Sequence, residues 1–258
     1  MLSEGNCQMM DSSTPNSKAW YAIGVAMILT GWQLLSMRYN DVIIPSPLGT
    51  ISALIEIANS GELSENLRIT FSRQLMGLLI GLGIGAAFGL VAGIFKRMGL
   101  LLQPLIVFLL SVPAIIFVTM AMVWFGMGTK MAVFLVALLV FPIMYTNVVA
   151  GIRSIDAELK QMAYVYRMPL IKKLSKIYLP GMRGHLITGF SLGMAYSVRL
   201  TIMAEMLGAA DGMGQRIFIS RTYLETDKLF AWVVVLLIIL VVLEFLTVRP
   251  LKKWTRVE

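Results

Sequence analysis

Residues 75–94 read LMGLLIGLGIGAAFGLVAGI, without a single charged side chain. As an α-helix, a run of this length crosses ~30 Å of hydrocarbon. Gly77, Gly81, Gly85, Gly89 and Gly93 recur at every fourth position within it. Four residues advance roughly 40° past a full helical turn, so these glycines form one slowly winding ridge. Such a ridge lets a second helix backbone approach closely, giving dispersion contacts where lipid offers no hydrophobic driving force. The stretch predicts a membrane-spanning helix with a helix-packing face.

The rest of the chain follows the same pattern. Of its 258 residues, 58% are hydrophobic and only 14% are charged, against about one quarter charged in a soluble domain. Mean hydropathy is +0.80. Apolar runs predict about six spans, at 19–37, 75–94, 100–125, 131–150, 185–207 and 230–248. The expected fold class is all-α, a polytopic membrane protein. Pro104, Pro113 and Pro142 are expected to interrupt the third and fourth spans, each freeing a carbonyl that other groups must satisfy.

The net charge of +8 does not read as a nucleic-acid surface, because the basic residues cluster beside apolar runs, as the positive-inside rule describes. Loop 151–184 carries Arg153, Lys160, Arg167, Lys172, Lys173, Lys176 and Arg183 against only Asp156 and Glu158. Lys96 and Arg97 follow the second span, and Arg249, Lys252, Lys253 and Arg256 follow the last. All three groups share one side if both termini are cytoplasmic. The expected organisation is therefore a cytoplasmic tail over 1–18, an uncleaved first span at 19–37, an extracytoplasmic segment over 38–74, a core over 75–248, and a cytoplasmic tail over 249–258. Within the outer segment, Pro45-Ser46-Pro47 predicts an extended entry and residues 51–58 a short helix lying at the surface.

Chemistry on a substrate is not expected. The chain has no phosphate-cradling G-x-x-x-x-G-K-[ST],. One histidine (His185) and one cysteine (Cys7) make neither a metal cluster nor a disulfide framework,. No cofactor and no catalytic residue are predicted.

Loop 151–184 has helical periodicity of its own. Leu159, Met162, Ala163 and Tyr166 fall on one face, and Asp156 and Glu158 stand at its start, where the helix dipole favours acids,. Pro169 disfavours helical geometry at Met168, so the first helix should stop near Arg167, with Met168-Pro169 making the bend. A second helix then places Leu170, Ile171, Leu174, Ile177 and Tyr178 opposite Lys172, Lys173 and Lys176, and Pro180 is expected to end it. Two amphipathic helices at a membrane face can lie in the lipid boundary or plug a groove of a soluble partner. Periodicity leaves both open.

The loop resembles the cytoplasmic signature of permease subunits in binding-protein-dependent ABC importers: Glu-Ala-Ala, then Gly, then Ile-x-Leu-Pro. Anchored on Ile177, Leu179 and Pro180, the triplet falls on Gln161, Met162 and Ala163, and the glycine on Arg167. Ala163, Ile177, Leu179 and Pro180 match; Gln161, Met162 and Arg167 depart. Further segments, W124-F-G-M-G, F141-P-I-M-Y-T-N, G151-I-R-S-I-D and A204-E-M-L-G among them, are similar to the nitrate/sulfonate/taurine branch. The resemblance implies a type I ABC importer permease fold in the cell membrane. It also implies a second, identical permease subunit, cytoplasmic ATPase subunits and an extracytoplasmic solute-binding protein. In that reading the loop couples ATPase closure to the spans, and Gln161, Met162, Ala163, Tyr166, Arg167, Ile177, Leu179 and Pro180 are its candidate residues.

Candidate solute contacts are Arg199 and Glu205 in the fifth span. A charge at mid-membrane costs ~2.5–3.5 kcal/mol on insertion scales, so each should face protein or a water-filled path. Six residues apart, they lie roughly 120° apart around the helix and should not pair. An arginine in the path favours an anionic solute, sulfonate-, taurine- or nitrate-like; a thiamine-precursor pyrimidine is the alternative cargo. A self-sufficient secondary transporter is the competitor from another class. It needs intramembrane carboxylates and repeated halves; only Glu205 and Glu244 are acids well inside the spans, and no repeat is evident.

Overall fold

The computed structural model describes residues 17–40, 42–243 and 245. Most of the two expected tails, and Glu244, lie outside the described residues. The described chain is helical, with no strand. Helix α1 spans Ser17–Arg38, α2 Pro47–Asn59, α3 Glu62–Ile94, α4 Lys96–Ser111, α5 Ala114–Phe125 and α6 Thr129–Ser154. After them come α7 (Ala157–Val165), α8 (Leu170–Lys173), a π-helical turn (Leu174–Tyr178), α9 (Leu179–Gly181), α10 (Arg183–Gly208), α11 (Met213–Thr222) and α12 (Thr226–Leu243).

Four helices, α3, α6, α10 and α12, are each long and apolar enough to cross a membrane. The expected third span is instead a broken pair: α4 and α5 meet at 100°. Val112 is extended there, φ −79° and ψ 131°, the conformation that a following proline imposes. Of the three prolines expected to interrupt spans, Pro113 alone breaks a helix. Pro104 and Pro142 are carried inside α4 and α6, since packed neighbours can satisfy the one carbonyl each proline frees.

Helix α6 is the axis of the fold, with Met131, Ala132, Leu135, Val136, Val140 and Val148 fully buried. Helix α3 lies along it through the glycine ridge. A Cβ at Gly77 would stand 2.6 Å from Val136 Cβ, at Gly81 2.8 Å from the Ala137 carbonyl, and at Gly85 2.6 Å from the Phe141 carbonyl. Gly89 and Gly93 meet Val148 and Ile152 in the same way. On the other flank of α10, Ala53 and Ile57 of α2 pack with Ile202, Met213, Ile217 and Trp232. The short helix expected at 51–58 thus exists, but one face is buried against α12 and α3 while Leu48, Ile51 and Ile55 stay exposed. Helix α1 joins this flank through Trp32, whose indole donates to the Pro45 carbonyl (3.0 Å) and stacks on Phe230.

Candidate functional site

Helix α3 starts at Glu62, well before the apolar run, and its added turns are polar and buried: Asn66, Thr70, Arg73 and Gln74. They assemble around Glu205, which is fully buried. Its carboxylate accepts from Thr70 Oγ1 (2.8 Å), Arg73 Nη1 (3.0 Å) and the Gly214 amide (3.0 Å). Arg73 also donates to the Asp211 carbonyl (2.9 Å), to the Asp211 carboxylate, and through Nε and Nη2 to Thr129 Oγ1. The Gly212 and Met213 amides donate to Asn66 Oδ1 and Thr70 Oγ1. One guanidinium therefore ties the ends of α3, α6 and α10 to the turn before α11, using all three of its nitrogens.

That turn needs glycine. Gly212 has φ 98°, and a Cβ there would collide with the Glu205 carboxylate oxygens. Loop 209–212 thus closes over the acid and seals it. Of the two expected surroundings, protein or a water-filled path, Glu205 has protein; a buried carboxylate persists because paired donors offset its desolvation. Arg199 is exposed on the other side of α10, in a stripe with Thr188, Leu192 and Tyr196, and makes no ion pair among the described residues. The two residues do not meet. Sequence alone puts Arg73 in the outer segment 38–74 and so hides its role; the signal for it is Glu205 itself, an acid in an apolar run with no basic partner nearby in sequence.

At the opposite end, Asp156 caps α7 by accepting from the Glu158 amide (3.2 Å). Helix α7 closes with two bonds, Arg167 N–H to the Tyr164 carbonyl (3.0 Å) and Met168 N–H to the Ala163 carbonyl (3.1 Å). This pair of bonds is a Schellman motif, whose left-handed position usually holds glycine. Arg167 occupies it, with φ 48°. The bend is therefore made at Arg167, before Met168-Pro169 rather than by it.

Pro180 does not end the second helix. The wider turn at Leu174–Tyr178, with Leu179 N–H bonded to the Leu174 carbonyl, resets the register ahead of the proline. The chain then continues through α9 and Met182 into α10. Met162, Ile177 and Pro180 converge on a cavity of about 550 Å³ between the loop helices, shared with Ile155, Leu159 and Met168. Gln161, Tyr166 and Arg167 lie outside it. Of the apolar face Leu159, Met162, Ala163 and Tyr166, Ala163 is buried, whereas Tyr164, Val165 and Tyr166 are 79%, 74% and 76% exposed.

These elements define a polytopic α-helical transport core with a structured loop on its basic side. Residues 80–249 match the family described as binding-protein-dependent transport system inner membrane component, and the chain belongs to it. The chain is 30% identical over 83% of its length to a protein of Bacillus subtilis (strain 168) named as an aliphatic sulfonates transport permease, covering 78% of that relative. A relative of the same name in Escherichia coli (strain K12) is 36% identical over 78% of this chain and 77% of its own. The taurine transport system permease of that strain is 24% identical over 89% and 86%. The chain thus falls in the nitrate/sulfonate/taurine branch and is a multi-pass ABC importer permease. A solved chain of the MetNI methionine ABC transporter, in inward-facing conformations, shares the fold, with TM-score 0.58 and 19% identity over 74% of this chain and 94% of that one.

Proposed function

We propose that this chain is one of two identical permease subunits that together carry a small sulfonate-type anion inward. Separate cytoplasmic ATPase subunits drive it by docking on loop 151–184, and an extracytoplasmic binding protein delivers the solute. The observation that carries the coupling is the tip of α7: three large side chains in succession, Tyr164, Val165 and Tyr166, stand exposed beside a rigid Schellman turn. Exposed aromatics on a fixed element are the composition of protein–protein hot spots. The exposed stripe of α10 that ends at Arg199 is the solute path at the junction of the two permease copies. Glu205 holds its outer end in shape. Both termini are cytoplasmic, on the side of the basic loop. Sulfonate as cargo rests on the relatives at 30% and 36% identity.

The test is co-purification of the ATPase with a Val165→Asp, Tyr166→Asp permease. The substitutions lie outside the spans and on exposed positions, so insertion is expected to be normal while ATPase association is lost. Retained association, with hydrolysis still stimulated by loaded binding protein, rejects the coupling assignment. Intact-complex mass measurement is expected to give two permease and two ATPase chains, and proteoliposomes with the binding protein should accumulate labelled alkanesulfonate.

A further inference from the structure

At the Arg73 end of the molecule, a cavity of about 720 Å³ opens along α3, lined by Arg68, Ser72, Arg73, Thr129, Asp211 and Glu65 among others. Its two arginines differ. Arg73 is saturated by Glu205, Asp211 and Thr129 and is only 3% exposed. Arg68 is exposed and has no ion pair or hydrogen bond among the described residues. The hydroxyls differ from ordinary helix hydroxyls too. Ser64 is satisfied by the Gly61 carbonyl (2.9 Å). The Ser72 hydroxyl has no hydrogen-bond partner among the described residues, and Thr129 Oγ1 accepts twice from Arg73, which leaves its own hydrogen to donate into the cavity. Arg68 and Ser72 are four residues apart and so stand on one face of α3.

One uncommitted guanidinium with two hydroxyl donors is the chemistry that recognises a tetrahedral oxoanion. We propose that this cavity is a binding site for the sulfonate group of the solute, with Arg68 as its cation and Ser72 and Thr129 as hydroxyl donors. The site rests on the sulfonate reading above and adds to it a location separate from the Arg199 stripe. Asp211 opposes the anion in part, because the single charge of Arg73 is shared between Asp211 and Glu205. Glu65, which has no basic partner among the described residues, opposes it too and limits the net attraction.

The test uses two thiol reagents of similar size and opposite charge. One is 2-sulfonatoethyl methanethiosulfonate, itself an alkanesulfonate; the other is its trimethylammonioethyl counterpart. Both are applied to the detergent-solubilised full chain carrying Ser72→Cys in a Cys7→Ser background. The sulfonate reagent is expected to react faster, and Arg68→Gln to lower the anion-to-cation rate ratio about tenfold. Arg68→Lys should keep most of the ratio, and Glu65→Gln should raise it. A ratio unchanged by Arg68→Gln, or a preference for the cationic reagent with Arg68 present, overturns the site. The selectivity is read without transport, so the two readings separate. If the assembled transporter imports no alkanesulfonate but the Arg68-dependent ratio holds, the anion site stands and the cargo assignment falls. If import occurs and Arg68→Gln leaves both ratio and KM unchanged, the cargo assignment stands and this site falls.

Discussion

Glu205 shows how much one side chain can hold together. Its carboxylate is shared by α3, through Thr70 and Arg73, and by the turn into α11, through Gly214. Glu205→Ala leaves a guanidinium buried with half its counter-charge, and breaking one partner of a buried pair costs about 3–5 kcal/mol. The expected outcome is a large drop in the apparent Tm of the solubilised permease. Adding Arg73→Met to that variant should restore part of the loss, because the stranded charge is then gone. Arg167 makes the opposite case. A non-glycine residue in the left-handed region carries about 1–2 kcal/mol of steric cost, and Arg167 sits there at φ 48°. Arg167→Gly is expected to stabilise the loop by a net amount of roughly 0.5–1 kcal/mol, because glycine's entropy cost offsets part of the relief. Arg167→Val should destabilise it, and amide hydrogen exchange at Met168 would read both changes.

At the scale of the helix pair, the α3–α6 contact depends on the glycine ridge. A side chain at Gly85 would meet the Phe141 carbonyl and the Met144 Cβ, at 2.6 and 2.8 Å, and neither can swing aside as a flexible side-chain end would. Gly85→Leu is therefore expected to cost at least the roughly 1–3 kcal/mol of overpacking and to lower the yield of folded permease. Gly83 lies on the same helix, yet among the described residues a Cβ there would meet nothing beyond its own helix backbone within 4 Å. Gly83→Leu should fold normally. Equal yields from the two variants, read by size-exclusion profile, would remove the packing role of the ridge. The break at Pro113 belongs to this scale too: hydropathy runs unbroken through residues 100–125, so apolarity alone reads it as one span. The extended geometry that proline requires at Val112 turns it into two helices at 100°.

Across the whole molecule, the polar assemblies sit at opposite ends of α10: the Arg73–Glu205 cluster at its C-terminal end and the loop helices at its N-terminal end. If the basic loop is cytoplasmic, the cluster and its cavity are extracytoplasmic. Cysteines at Ser175 and Tyr223, both exposed, in a Cys7→Ser background should therefore label from opposite sides of sealed vesicles. Labelling of both by an impermeant reagent from one side would overturn this orientation. The arrangement separates roles along one helix. Its N-terminal end receives the loop, its middle exposes Arg199, and its C-terminal end is clamped, so in the proposed coupling a shift of the loop would reach the Arg199 stripe through a single helix.

Local physics made much of this protein legible from sequence. The spans follow from hydropathy, because twenty apolar residues have few other uses. The glycine ridge follows from helical periodicity, and the two loop helices from their amphipathic spacing and the caps at Asp156 and Pro169. Tertiary structure alone decided which charges are buried with which. Arg73 and Glu205 lie far apart in sequence, and no local pattern marks Arg73 as buried, because its desolvation is offset by an acid from another helix. The burial of Ala163, the saturation of Arg73 and the freedom of Arg68 are likewise properties of contacts between elements. A side chain's neighbours across space set its desolvation and its remaining hydrogen-bonding capacity, and neither is encoded in the residues beside it in the chain.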